Sequence, residues 1–197
     1  MILPAAAGNQ AFADESFHEA EVGGYYILAA VIFEVATHDP ARLAMHELRG
    51  RRNAYKLHWN EMTSQEKHNA AKIVAELEGF HIVVVGTPVP RRRQERARAL
   101  CLGKLVPELH SYGIDRLLME GRSRALNERD VTTVRGARYE LPKGAVFEIE
   151  HLPGSSEALL WAADIVAGAV RSSKEGSDNC RELLDARLYQ IDLAIDC

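Results

Sequence analysis

Between Leu159 and Val170 the chain reads Leu-Leu-Trp-Ala-Ala-Asp-Ile-Val-Ala-Gly-Ala-Val, with Asp164 as its only charge. A helix of this composition is apolar on nearly every side and belongs in a core rather than on a surface. The carboxylate goes into the core with it. Among Leu160, Trp161, Ile165 and Gly168, an ionised Asp164 costs roughly several kcal/mol unless it is protonated, paired or bound to a cation. The fold must therefore bring a partner to Asp164, and other carboxylates in the chain are candidates to share a cation with it.

The segments around this helix predict an α/β chain. Gln10–Asp14 reads as a short strand ending on the acidic cluster Asp14-Glu15-Ser16, and Gly23-Gly24 closes the polar loop after it. Tyr25–Phe33 is a continuous apolar run of strand type, most simply antiparallel to the first. Asp39-Pro40 has the order of an N-cap and first helical residue, opening a helix that stops near Gly50. Tyr55–Trp59 is a possible short strand. Ser64–Glu78 is helical, capped by Thr63 or Ser64 with Glu66 in its first turn.

Phe80–Val85 is a β-branched strand of buried type. The spacing then predicts a helix over 91–110, kinked or shortened by Pro107, and a strand Ile114–Glu120. A short helix near 128–134, a strand Ala145–Ile149, the Asp164 helix and an edge strand Leu188–Ile195 complete the order. Strands that pair early and then alternate with helices imply a mixed sheet, antiparallel at the front and parallel later, flanked by helices. No boundary interrupts it, so residues 1–197 are expected to form one domain.

In such sheets ligands gather at the carboxyl ends of parallel strands. Asp14 and Glu120 each close an expected strand, and the Asp164 helix could cross the same rim. Three carboxylates together repel one another and raise their pKa values unless divalent cations neutralise them. Oxygen-only ligation selects Mg²⁺ or Mn²⁺ over zinc, and such ions suit phosphodiester hydrolysis.

Asp14-Glu15-Ser16, Lys56-Leu-His-Trp59, Leu117-Leu-Met-Glu120-Gly-Arg122 and Leu160-Trp-Ala-Ala-Asp164-Ile-Val-Ala-Gly-Ala169 occur here in that order. Together they resemble the landmarks of a bacterial domain-of-unknown-function family regarded as having a ribonuclease-H-like fold. The likeness runs from about Ala11 to Val170. It implies a five-stranded mixed sheet and acidic residues binding two metal ions, the first acid on the first strand and the last on the closing helix. Asp14 and Asp164 match those positions, and Glu120 is the choice for the middle acid.

The remaining candidates each have an ordinary reading beside the functional one. His58 is either a packed histidine or a group passing a proton to the leaving group. Glu15 either decorates a loop or supports the metal ligands from outside. Arg122 either orients a phosphate through its planar fork or pairs with Glu120. Lys56, Arg91 and Arg92 are the other candidate substrate contacts. Arg91, Arg92 and Arg93 place positive charge where a helix start disfavours it, which suggests a nucleic-acid backbone. Arg49, Arg51 and Arg52 form a second such group.

The expected function is a metal-dependent nuclease hydrolysing phosphodiester bonds in nucleic acid. The alternative is a catalytically silent module of the same fold that binds nucleic acid or a protein partner. A formal charge of −4 argues against an overall basic nucleic-acid binder. The three cysteines have no metal or disulfide spacing, which fits a reducing cytoplasm. No apolar run reaches bilayer length, and the opening Met1–Gly8 lacks the basic region of a signal peptide, so no membrane association is expected. Gly-x-Ser-x-Gly, His-Glu-x-x-His and a phosphate-cradling Gly-rich loop are absent, removing serine hydrolase, zinc protease and nucleotide triphosphatase readings.

Overall fold

A computed structural model of the chain describes residues 9–50 and 55–195. Met1–Gly8, Arg51, Arg52 and Cys197 lie outside the described residues, as does whatever the sequence suggested for them. The strands are β1 (Asn9–His18), β2 (Tyr25–Phe33), β3 (Gly79–Thr87), β4 (Ile114–Glu120), β5 (Glu148–Leu152) and β6 (Leu188–Ala194). The helices are α1 (His38–Arg49), α2 (Ser64–Glu76), α3 (Gln94–Ser111), α4 (Arg124–Ala137) and α5 (Leu159–Lys174).

The strands form one six-stranded sheet in the order β5-β4-β1-β2-β3-β6. β1, β2 and β3 are antiparallel neighbours, whereas β4 on β1, β5 on β4 and β6 on β3 are parallel. This is the mixed α/β sheet expected of a ribonuclease-H-like fold. Helices cover both faces, so the central strands are apolar on both sides rather than alternating. Phe12, Ile27, Ala29, Val31, Val83 and Val85 pack toward α1, α2 and α5. Ala11, Ala13, Leu28, Ala30, Ile82 and Val84 pack toward α3 and α4.

Helix α5 lies across β1 and β2 with almost every side chain buried, as its composition demands. Burying each Leu, Ile or Val there contributes about 1.5–3 kcal/mol. Asp164, by contrast, is the one residue between Leu159 and Val170 that is not buried, its side chain staying 17% exposed at the rim instead of entering the core. The first turn of α5 is closed by Glu157, whose Oε1 accepts from the Leu159 N–H at 3.0 Å. Gly168 makes the close contact that seats α5. A Cβ there would lie 2.2 Å from Trp59 Cγ, so only glycine lets the indole pack flat on the helix.

Several boundaries differ from the sequence reading. β1 does not stop at Asp14 but continues to His18, because Ser16, Phe17 and His18 pair with Ile27, Tyr26 and Tyr25 in a hairpin. Tyr55–Trp59 is not a strand; the chain turns there and enters a 3₁₀ turn at Trp59–Glu61. α1 opens at His38 rather than after Asp39, and α3 starts at Gln94, past Arg91 and Arg92. Pro107 neither ends nor shortens α3. The helix expected near 128–134 extends over Arg124–Ala137, and β5 lies three residues later than the apolar run Ala145–Ile149 suggested. Of the two caps the sequence offered for α2, Thr63 takes the position, and Glu66 both stands in the first turn and closes a capping box with it. β6 is a sixth strand, one more than the resemblance implied.

Candidate active site

β1 and β4 run side by side in parallel, and their pairing reaches Ala13 opposite Met119. Asp14 and Glu120 are the next residues on each strand. Both share the side-chain parity of Phe12 and Leu118, so they stand on the α5 face at the carboxyl rim of the sheet. α5 supplies Asp164 to the same place. The rim therefore collects one carboxylate from each of β1, β4 and α5.

Their charges act on one another. Loss of hydration pushes the Asp14 carboxyl well above its ordinary value, and the negative charges of Asp164, Glu15 and Glu120 push the same way. The Glu15 N–H, donated to Asp14 Oδ1 at 2.8 Å, opposes this. Asp164 is also raised, chiefly by burial, against the Trp59 N–H and the charges of His58 and Lys56. Its Oδ2 accepts that Trp59 N–H at 2.7 Å and lies 3.8 Å from His58 Nδ1. Among the described residues no cation is paired with Asp14.

Glu120 is differently provided for. Lys56 Nζ donates to both its oxygens, at 2.6 Å and 2.5 Å. Gly154 closes over this pair; a Cβ there would sit 2.6 Å from the Glu120 carboxyl carbon. The chain from Tyr55 to Glu61 and the Pro153–Ser155 turn border an open cavity of about 530 Å³ beside Glu120. The segment that looked like a strand is thus a loop with a task. Its backbone N–H fixes Asp164, its lysine neutralises Glu120, and its Trp59 indole is buried on Gly168 and donates to Ser172 Oγ at 3.2 Å.

All three donors are carboxylate oxygens, a set that fits a hard divalent cation. The uncompensated repulsion at Asp14 is what such an ion relieves. As they stand, no three His, Cys, Asp or Glu side chains among the described residues are gathered tightly enough to hold a metal ion. Glu120 is engaged by Lys56, leaving Asp14 and Asp164 as the pair best placed to receive a cation.

The other candidates lie elsewhere. Arg122 faces the opposite side of the sheet, where its guanidinium pairs with Glu95 at 2.6 Å and Asp130 at 3.2 Å. It does not pair with Glu120. Glu15 also points to that side, bound to Arg98 at 2.6 Å, so its carboxylate does not support the rim acids from outside. Arg91 and Arg92 follow β3, two strands from β1; Arg91 is 3.6 Å from Glu21 on the hairpin, and both arginines are exposed.

Sequence reasoning missed the charged group behind β1. Arg98 is 1% exposed and donates through two nitrogens to Asp130, at 2.9 Å each. His151 Nε2 lies 3.0 Å from Asp130 Oδ2. Burial alone would raise Asp130, but His151, Arg98 and Arg122 outweigh it and hold it well below the usual carboxylate range. A signal was present: Arg98 shares a helical stripe with Cys101, Leu102 and Leu105, and Asp130 with Val134 and Ala137, so each charge sits on an apolar stripe.

No protein-family model and no curated protein matches the chain. Among solved structures it is similar to ribonuclease HII in its complex with PCNA, from Archaeoglobus fulgidus. The likeness has a TM-score of 0.53 at 15% identity and spans 90% of this chain and 87% of the other. It shows a shared ribonuclease-H-like fold. Among the described residues no helix is long and apolar enough to cross a membrane.

Proposed function

We propose that the chain is a divalent-metal-dependent phosphodiesterase acting on nucleic acid, with Asp14, Glu120 and Asp164 as its acidic centre. The observation that carries this reading is the meeting of three partly buried carboxylates from separate elements at the carboxyl rim, with no cation paired to Asp14 among the described residues. Structural cores avoid that arrangement because the repulsion is unrelieved. The ordered likeness to a bacterial family of ribonuclease-H-like fold and the similarity in fold to a ribonuclease HII support it. Asp14 and Asp164, with Glu120 beside them, would hold Mg²⁺ or Mn²⁺, and the chemistry such an ion supplies is Lewis acidity toward a phosphodiester.

The chain's own groups arrange the rest. Backbone N–H groups of Glu15 and Trp59 aim one oxygen each of Asp14 and Asp164, so neither carboxylate rotates freely. Lys56 places a cation between Glu120 and the open cavity, where a phosphate oxygen can meet it. His58, half-exposed beside Asp164, is positioned to pass a proton to a leaving oxygen.

The test is cleavage of labelled RNA, DNA and hybrid with Mn²⁺ or Mg²⁺ by the parent chain and by Asp164→Asn. Asparagine keeps an oxygen for the Trp59 N–H, so the fold survives while the charge goes. Activity should fall by at least about 10²-fold, as when a charge-stabilising group is lost from a preorganised site. Cleavage unaffected by this change would exclude the site. The Lys56–Glu120 pair favours a second reading, a silent module that binds nucleic acid or a protein partner, since one carboxylate is already neutralised without metal. Titration calorimetry separates the two, because the silent module binds no Mn²⁺ at millimolar concentration.

A further inference from the structure

We infer that the cavity beside Glu120 is a subsite for one unpaired nucleic-acid strand, with a phosphate at Lys56 and the adjoining base stacked on Tyr55. The inference rests on the proposed phosphodiesterase reading and adds the strandedness of the substrate and the group that grips it.

A volume of about 530 Å³ suits a ligand the size of a nucleotide. The walls supply little positive charge. Lys56 is the one lysine or arginine among the described residues that border the cavity, and it is already shared with Glu120, while Glu61 adds a further carboxylate. Duplex binders gain most of their affinity by neutralising many phosphates along a basic face. Among the described residues this cavity offers one such contact, and the whole chain carries a formal charge of −4.

Affinity must then come from another source, and the wall holds one. Tyr55 is 87% exposed, a large ring standing in water at the mouth of the cavity. It is the neighbour of Lys56 in the chain, so phosphate and base contacts lie one residue apart. A base has a face to offer that ring only when it is not paired and stacked inside a duplex.

The experiment is fluorescence anisotropy of end-labelled RNA and DNA strands of about twelve nucleotides and of the matching duplex. It is run in EDTA so that nothing is cleaved, with the parent chain, Tyr55→Ala and Tyr55→Trp. Tyr55 is too exposed for its loss to disturb folding, and superimposable thermal melts verify this. Single strands of both sugars should bind more tightly than duplex. Tyr55→Ala should weaken them by about 5- to 100-fold, the range for losing one base–aromatic stack, and Tyr55→Trp should restore binding. The slope of log affinity against log salt should be shallow, about −0.7 to −1.4, for one or two phosphate contacts.

A change under twofold in Tyr55→Ala, a preference for duplex, or a steep salt slope would overturn the inference. Cleavage with Mn²⁺ by a parent chain whose strand binding ignores Tyr55 defeats the subsite alone. Tyr55-dependent binding with no cleavage under any metal defeats the phosphodiesterase reading and leaves the subsite standing.

Discussion

Replacing Gly168 with alanine sets two effects against each other, and the structure decides between them. In an ordinary helix interior the change gains about 1 kcal/mol, because glycine loses more backbone freedom on folding. Here the new Cβ would lie 2.2 Å from Trp59 Cγ, 2.4 Å from Cδ1 and 2.5 Å from Cδ2. Carbon contacts want about 3.5 Å, so the indole and the helix must separate by roughly 1 Å. Trp59 is buried and cannot swing into solvent. Overpacking of this kind costs about 1–3 kcal/mol, which outweighs the propensity gain. Net of that gain roughly 0–2 kcal/mol is lost, and at about 2–4 °C per kcal/mol for a chain of this length the melting temperature of Gly168→Ala should fall by up to about 8 °C.

The displacement also reaches the site. The Trp59 N–H donates to Asp164 at 2.7 Å, and a shift of that size breaks the bond and releases the carboxylate. A catalytic group misplaced by about 1 Å costs on the order of 10²-fold in rate. Circular-dichroism melts and Mn²⁺-dependent cleavage should fall together. A Gly168→Ala chain that melts at or above the parent temperature would refute the packing argument.

Two further predictions concern the rest of the sheet. Arg98→Met removes the cation that Asp130 and Glu15 share and leaves buried charge uncompensated; a loss of about 3–5 kcal/mol is expected in urea unfolding, and a loss below about 1 kcal/mol would mean the neighbours relax to water. His81 is buried in β3, and burial with the nearby Arg187 charge pushes its pKa down from 6.5 to about 4. The unfolded chain then binds the proton first, so His81's contribution is complete above pH 6.5 and is lost as pH falls from there toward 4. At about 1.4 kcal/mol per pH unit the loss comes to about 3 kcal/mol, and His81→Leu should flatten stability over that window; an unchanged slope would place the acid sensitivity elsewhere.

What could be read from the residues and what could not divides along a physical line. α5 declared itself because twelve residues with one charge admit only burial, and β2 because nine apolar residues in a row need helices on both faces. The meeting of Asp14, Glu120 and Asp164 followed from the parallel order of β1 and β4 and the crossing of α5. The upper half of β1 was hidden, since Glu15, Ser16 and His18 become strand only by pairing with β2. Tyr55–Glu61 was hidden too: its shape comes from Trp59 seating on Gly168, more than a hundred residues away in the chain. Arg122 misled because its neighbour Glu120 faces the other side of the sheet, and its partners Glu95 and Asp130 come from α3 and α4.

The claim under all of this is that the rim carboxylates form a seat for a hard cation. Crystals of the parent chain soaked in Mn²⁺ test it directly through the anomalous signal of the metal. A peak should appear at the rim with oxygens of Asp14 and Asp164 at about 2.0–2.2 Å, and it should vanish in Asp14→Asn. Crystals that show no peak between these two side chains, or that place the metal on another cluster, would contradict it.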